Sequence, residues 1–372
     1  MASISDQQSA DRPLTVLRSG RGLRGRFRVA PDPMLFSLAA LLGALARGVT
    51  VLYHGAEDMG PSLAATRELL KAVGAPPEVS NDRWEINGMG PLGLLQPDKP
   101  LDFTGAREAT PLALGLFGSY AFPTRLIGET APGGAPLSPT INALHGIGVD
   151  IREQRTGRLP IGIHGPRTPV PFVARLPPAA AEAKAGLLLA ALGLPGISTL
   201  VEPHPTPDHA ERLLRHFGGS VIETTGLDGA RSLAIAGLPA LGARTLEIAG
   251  DADLATIALV AALIVPNSDV LIENFPLHPA RLALLSTLED MGGMVEILDR
   301  RLSAGEEVGD LRVAHSPLLG LAIEPRGLTP AAIPALAVAG AFAAGETHLP
   351  RIGFAGEAAL HERLAAALAA NG

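Results

Sequence analysis

One kind of segment recurs five times in this chain at nearly constant spacing: a Leu-rich helix that stops at glycine. The phrases are ELLKAVGAPPEV at Gly74, INALHGIGVDI at Gly148, RLLRHFGGSVI at Gly218, STLEDMGGMVEI at Gly292 and ERLAAALAANG at Gly372. The first four run into an alternating strand, and successive glycines lie 74, 70, 74 and 80 residues apart. Self-similarity at a fixed period marks one supersecondary unit used repeatedly. Glycine just past each helix supplies the left-handed residue that ends it.

The units share a grammar. An Ala/Leu helix ends at Gly or Pro, a short Val/Ile/Thr strand follows, then an acidic or Pro turn, the Leu-rich helix and a second strand. The first unit predicts a helix over 34–47, stopped by Gly48, before the strand VTVLYH. PLALGLFGSYA, AEAKAGLLLAALGLPG, LATIALVAALIVP and PALAVAGAFAAG open the next four, before strands in PTRLIGE, STLVEP, DVLIENF and ETHLPRI. Further strands fall near WEING, RLPIGIHG, SLAIAG and LRVAHS. Each unit is roughly βαβαββ. Helices apolar nearly all round must be buried. The expected fold is therefore α/β with helices inside and sheets outside, an inside-out barrel, rather than a doubly wound sheet.

At 372 residues, two cores are the natural expectation. Hydrophobic residues make up 47% and aromatics 3%, so those cores are aliphatic. Cysteine is absent, which excludes disulfides, thiolate metal sites and thiol nucleophiles. Apolar runs near 35–46 and 255–265 fall short of the roughly 20 residues that span a bilayer. MASISDQQSADRP has neither the basic nor the apolar region of a signal peptide, so a cytoplasmic chain is expected. Net charge is −7 and no basic stripe or stacking platform is present, which argues against nucleic acid.

Several whole phrases carry a resemblance. TLVEPHPTPDHAERLLRHFGG, IAGDADLATIALVAALIVPNSDVLIENFPLHPARLALLSTLEDMGG, AGEEVGDLRVAHSPLLG and IPALAVAGAFAAGETHL resemble the EPSP synthases of the enolpyruvyl transferase family, in order and over roughly 14–372. The resemblance implies two inside-out domains of three βαβαββ units each, with the active site in the cleft between them. Here it implies five repeats instead of six: an inserted domain over 27–247 with three, and a discontinuous domain, 1–26 plus 248–372, with two and the N-terminal strand. The hinges would fall near Arg24–Arg28 and Leu246–Asp251. The family reaction moves the enolpyruvyl group of phosphoenolpyruvate onto shikimate 3-phosphate. Two polyanions then call for Lys and Arg forks, and proton transfer calls for carboxylates.

This chain departs from that pattern where the chemistry lies. The stretch APDPMLFSL keeps Asp32 of the family's PGDKSxSxR, but Pro33, Met34 and Leu38 stand at its Lys, Ser and Arg. GAREATPL keeps Gly105 of GNxGTxxR, with Ala106, Glu108 and Leu112 at the Asn, second Gly and Arg. The following RP pair is Ala135–Pro136. SAQxKS has become AAEAKA, which loses both hydroxyls, replaces Gln by Glu182 and keeps Lys184. Pro207 replaces the Arg of TRDHTER, and Ala331 and Ala332 replace the acidic pair of IDEIP. EAALHER stands where ELRVKESDR would, without its Lys–Glu pair, and the basic element that follows in the family would lie past residue 372. Each lost Arg–phosphate contact removes roughly 1.5–3 kcal/mol.

The catalytic candidates are Lys184, Glu182 and Glu108; Asp32, Asp58, Gly105, Arg107, Lys184 and Asp208 are the substrate-binding candidates. Lys184 reads either as an anion-binding or imine-forming group, or as a surface lysine paired with Glu182 or Asp208. Arg107 and Glu108 form a new polar site or pair with each other. Glu57–Asp58 faces the cleft or caps a helix. Asp208–His209 with His204 suggests a metal, but helix initiation, with Thr206 as N-cap and Pro207 behind it, explains the stretch better. Asp251 reads as an N-cap, while His278 and Arg281 read as structural. The arginines of GRGLRGR, 20–26, bind phosphate or are solvated.

The leading functional expectation is a diverged cleft enzyme acting on a less charged cyclic substrate. A non-catalytic binding or assembly protein and retained EPSP synthase activity are the alternatives. No cofactor or metal is expected. The partners expected are a small ligand in the interdomain cleft and a second copy, or another chain, completing the short domain through 329–372.

Overall fold

The structure is a computed structural model that describes residues 20–53, 60–129, 137–178, 180–325, 327–354 and 356–371. In chain order it contains β1 (Arg24–Arg28), α1 (Pro33–Leu45), β2 (Arg47–Tyr53), α2 (Gly60–Ala72), β3 (Glu78–Val79) and β4 (Arg83–Met89). There follow β5 (Leu101–Asp102), α3 (Ala109–Gly118), β6 (Thr124–Ile127), α4 (Ser138–Gly146), β7 (Asp150–Arg155) and β8 (Arg158–His164). Next come β9 (Val173–Arg175), α5 (Ala181–Leu192), β10 (Ile197–Glu202), α6 (His209–His216), β11 (Val221–Thr225), β12 (Arg231–Ala236) and β13 (Thr245–Glu247). The chain ends with α7 (Ala252–Ile264), β14 (Asp269–Pro276), α8 (Pro279–Asp290), β15 (Met294–Ser303), β16 (Glu306–Ala314), α9 (Ala332–Ala341) and α10 (Glu357–Asn371).

The repeat is visible in the sheets. Four four-stranded sheets run β13-β2-β4-β3, β5-β6-β8-β7, β9-β10-β12-β11 and β1-β14-β16-β15. In each, the first pair is parallel and the other two are antiparallel. A hairpin closes every sheet, and in the β5–β6 and β9–β10 pairs a helical crossover joins the parallel strands, as the βαβαββ unit requires. β13, at the end of the three-sheet stretch, pairs with β2 at its beginning, so that stretch closes on itself.

Helices fill the inside. Every residue of α3 is buried, as are 183–192 of α5 and 35–45 of α1. Leu, Ala and Gly on all faces of these helices meet neighbouring helices or sheets, so no polar face is needed. α3 and α5 cross with their backbones in contact: a Cβ on Gly115 would fall 1.8 Å from the carbonyl oxygen of Gly186. Phe36 packs edge-on against Trp84 with centroids 5.1 Å apart.

The second core, around α7, α8 and α9, is less enclosed. Leu254 and Ile257 of α7 and Phe342 after α9 are exposed, so the all-apolar helices of this shorter domain are not fully covered within the chain. Among the described residues one sheet flanks this core, where three surround the other. The ETHLPRI strand is also corrected: the region contributes isolated bridges, Leu319 with Ala344 and Ala322 with His348. Among the described residues no helix is long and apolar enough to cross a membrane.

The chain passes between the two cores twice, side by side. Asp32 N donates to Ala249 O at 2.9 Å and Asp251 N donates to Ala30 O at 2.8 Å. α1 and α7 start immediately after these crossings.

Candidate functional site

A pocket of about 570 Å³ opens at this junction. The starts of α1, α5, α6, α7, α8 and α9 converge on it, with Arg107 and Glu108 before α3 and Leu360 from α10. Seven helices thus present their starts to one cavity, because the repeat places corresponding helix starts toward the crossing.

Asp32 and Asp251 cap the two helices that follow the crossings. Asp32 Oδ1 accepts from Leu35 N at 2.9 Å, and Asp251 Oδ1 accepts from Asp253 N at 2.8 Å. Burial, offset in part by the Leu35 N–H, His209 and Arg281 and reinforced by Asp251, pushes the Asp32 carboxyl up to about 6. Burial also raises Asp251.

Lys184 turns away from the expected role. Its side chain is 1% exposed, and Nζ lies 2.7 Å from Glu211 Oε1 and 3.4 Å from Glu202 Oε1. Nζ also donates to Pro207 O at 2.8 Å. Arg231 Nε donates to Glu202 Oε2 at 2.8 Å, and Thr206 Oγ1 donates to Glu202 Oε1 at 2.6 Å. Burial pushes Glu202 up, but Thr206, Lys184 and Arg231 together bring it below its ordinary value. Burial keeps Glu211 above its ordinary value despite Lys184 and Arg231. The cluster pins the 206–207 loop from beneath. Neither the surface lysine nor the pairing with Glu182 or Asp208 is found.

The 208–209 pair faces the other core. α6 begins at His209, later than the Thr206 cap expected, and Asp208 makes no capping bond of its own. Asp208 Oδ1 lies 3.0 Å from His278 Nε2, and Asp208 Oδ2 lies 2.9 Å from Arg212. The hydrogen bond from His278 and the Arg212 guanidinium hold Asp208 well below the usual carboxylate range despite partial burial. His209 Nδ1 lies 2.9 Å from Glu306 Oε1, and its ring packs on that of His278 at 4.3 Å. His204 lines a separate surface hollow, so the three residues that suggested a metal are not brought together.

The remaining candidates are paired differently from expectation. Arg107 lies 3.5 Å from Glu182, not beside Glu108. Glu108 Oε2 accepts from Ser62 Oγ at 2.6 Å. Gly105 occupies the left-handed region at φ +71°, where a side chain is strained. Arg281 donates to Asp253 at 2.8 Å. In the basic N-terminal stretch, Arg26 pairs with Glu273. Glu57, Asp58 and Ala135–Pro136 lie outside the described residues. Sequence reasoning missed Glu202, Glu211 and Glu306. Glu211 did leave a signal, an acidic residue on the face of α6 that also carries Ala210 and Leu214.

A two-core α/β protein with helices inside, sheets outside and a pocket at a double crossing has the architecture of an enolpyruvyl transferase. The sequence model of the EPSP synthase (3-phosphoshikimate 1-carboxyvinyltransferase) family matches residues 17–367, and the chain belongs to that family. It is 40% identical over 343 residues to the 3-phosphoshikimate 1-carboxyvinyltransferase of Mesorhizobium japonicum, covering 91% of this chain and 75% of that one. The enzyme of that name from Chelativorans is 39% identical over 334 residues, 89% of this chain and 74% of its own. The solved EPSP synthase of Acinetobacter baumannii superposes with a TM-score of 0.78 at 28% identity, covering 88% of this chain and 74% of that one. The enolpyruvyl transferase NikO of Streptomyces tendae shares the fold, with a TM-score of 0.64 at 16% identity over 88% of this chain and 75% of that one.

Proposed function

We propose that this chain is a diverged member of the family whose cleft binds a ligand less negatively charged than shikimate 3-phosphate and phosphoenolpyruvate, and that it does not perform their carboxyvinyl transfer. One observation carries this reading. Among the described residues lining the pocket, every Lys or Arg already has a carboxylate: Lys184 with Glu211, Arg107 with Glu182 and Arg281 with Asp253. A phosphate entering the pocket would have to compete with these carboxylates for each cation and approach Glu108 and Asp32 as well. Phosphate is held most strongly by guanidinium or ammonium groups whose charge is not already neutralised.

For chemistry on such a ligand, Asp32 is the group we assign to proton transfer. Its carboxyl sits near 6, close to working pH, at the pocket wall. The second reading is retained carboxyvinyl transfer, favoured by 40% identity across 91% of the chain to an enzyme of that name.

Isothermal titration calorimetry separates the two. The proposal expects heat of binding with a neutral cyclitol and none with shikimate 3-phosphate, alone or with phosphoenolpyruvate. Micromolar binding of shikimate 3-phosphate favours the second reading.

A further inference from the structure

We propose that the open side of the second core is an interface to a second copy of this chain, in which α10 of each protomer lies along α7 of its partner.

Three helices carry the argument. After Asp253, α7 has no charged residue through Ile264, yet Leu254 is 45% exposed and Ile257 69%. These two residues are three apart and share one side of the helix. No charged residue occurs in α9 either, and Val338 on it and Phe342 just past it are exposed. The barest of the three is α10. It leans on α9, and Glu357 is the one buried residue among 357–370. Leu360, Leu364 and Leu368 recur every four residues along it, forming an apolar stripe that its own chain covers only in part. A helix of this length takes most of its stability from packing an apolar face. On the far side of the same core the sheet carries charge on its outer face, where Arg26 pairs with Glu273 and Arg312 with Asp269. The lack of charge is therefore a property of the helix side.

The occupant follows from what these helices offer each other. α7 has 13 residues and α10 has 15. Each is about 20 Å long. Within one chain they do not cover each other, since Leu254, Ile257 and Leu368 all stay exposed. A two-fold axis that lays α10 of each copy on α7 of the other forms the same contact twice and closes on itself. Two such contacts, flanked by Val338 and Phe342, bury on the order of 800 Å² per protomer, the size of a stable interface. A partner with a charged surface would lose hydration against this face and gain no ion pair. A second copy brings an uncharged apolar stripe instead. The contact starts beside the cleft, because Asp253 and Leu360 both line the pocket.

Sedimentation velocity of the full chain tests the assembly. A dimer is expected at about 20 µM that dissociates on dilution below about 1 µM. Ile257→Glu changes an exposed residue, so circular dichroism should be unaltered, while the dimer should weaken at least about a hundredfold. Leu368→Glu should do the same from the other helix. Cysteine cross-linking tests the pairing, in a chain that has no cysteine of its own. A mixture of the Ile257→Cys and Leu364→Cys proteins should oxidise to a disulfide-linked heterodimer, and neither protein alone should cross-link. A parent that stays monomeric at about 20 µM overturns the proposal. So does a dimer that survives both glutamate substitutions, or assembly that grows past the dimer with concentration. Cross-linking of Ile257→Cys to itself overturns the pairing of α10 with α7.

Discussion

His278 and Asp208 join the two cores: His278 Nε2 lies 3.0 Å from Asp208 Oδ1 while His278 Nδ1 accepts the Ala280 N–H at 3.2 Å. An Nδ1 that accepts carries no proton, so this bonding pattern assigns the proton to Nε2, which donates to Asp208. One imidazole therefore caps α8 and bridges to the start of α6. His278→Ala is expected to lower stability by about 1–3 kcal/mol in urea denaturation. His278→Asn, a good N-cap, should recover part of the loss without the bridge. Equal stability of all three proteins would show that neither bond matters.

Lys184 gives the sharpest stability prediction. Removing the ammonium leaves Glu211 and Glu202, both buried, short of a counter-charge. Lys184→Ala should cost about 3–5 kcal/mol. Lys184→Met combined with Glu211→Met should be less destabilised than Lys184→Ala alone, because it removes both members of the pair. A Lys184→Ala protein that melts within about two degrees of the parent would place the side chain in the cleft after all.

Asp32 ties stability to pH. With a folded value near 6 against 3.8 ordinarily, the folded chain holds a proton that the unfolded chain has released. The resulting stabilisation is complete below about 3.8 and is lost as pH rises through about 6. Relative to Asp32→Asn, the parent should therefore lose on the order of 3 kcal/mol between about pH 4 and pH 7. A pH-independent difference would show that Asp32 is not desolvated.

Much of the fold was legible because glycine stops and strand alternation are local signals. Gly74, Gly148, Gly218 and Gly292 all adopt positive φ, as the repeat required. The strands in WEING, RLPIGIHG, SLAIAG and LRVAHS are β4, β8, β12 and β16. ETHLPRI failed because strand propensity needs a neighbouring strand, and there the chain makes only isolated bridges. Within the site, the Asp251 cap was legible from local pattern, whereas Asp32, read as a substrate-binding residue, caps α1. The partners of Lys184 were not legible. Glu211 and Glu202 lie 27 and 18 residues away in sequence, and only the packing of α5 against α6 and β10 makes them neighbours. The His209–Glu306 contact spans 97 residues and left no sequence signal.

Phosphate release measures the central claim most directly. Purified protein is incubated with shikimate 3-phosphate and phosphoenolpyruvate in a coupled assay for inorganic phosphate. The pairing of Lys184, Arg107 and Arg281 with carboxylates leads to release no faster than the protein-free background. Steady turnover that requires both substrates and scales with protein concentration would contradict it.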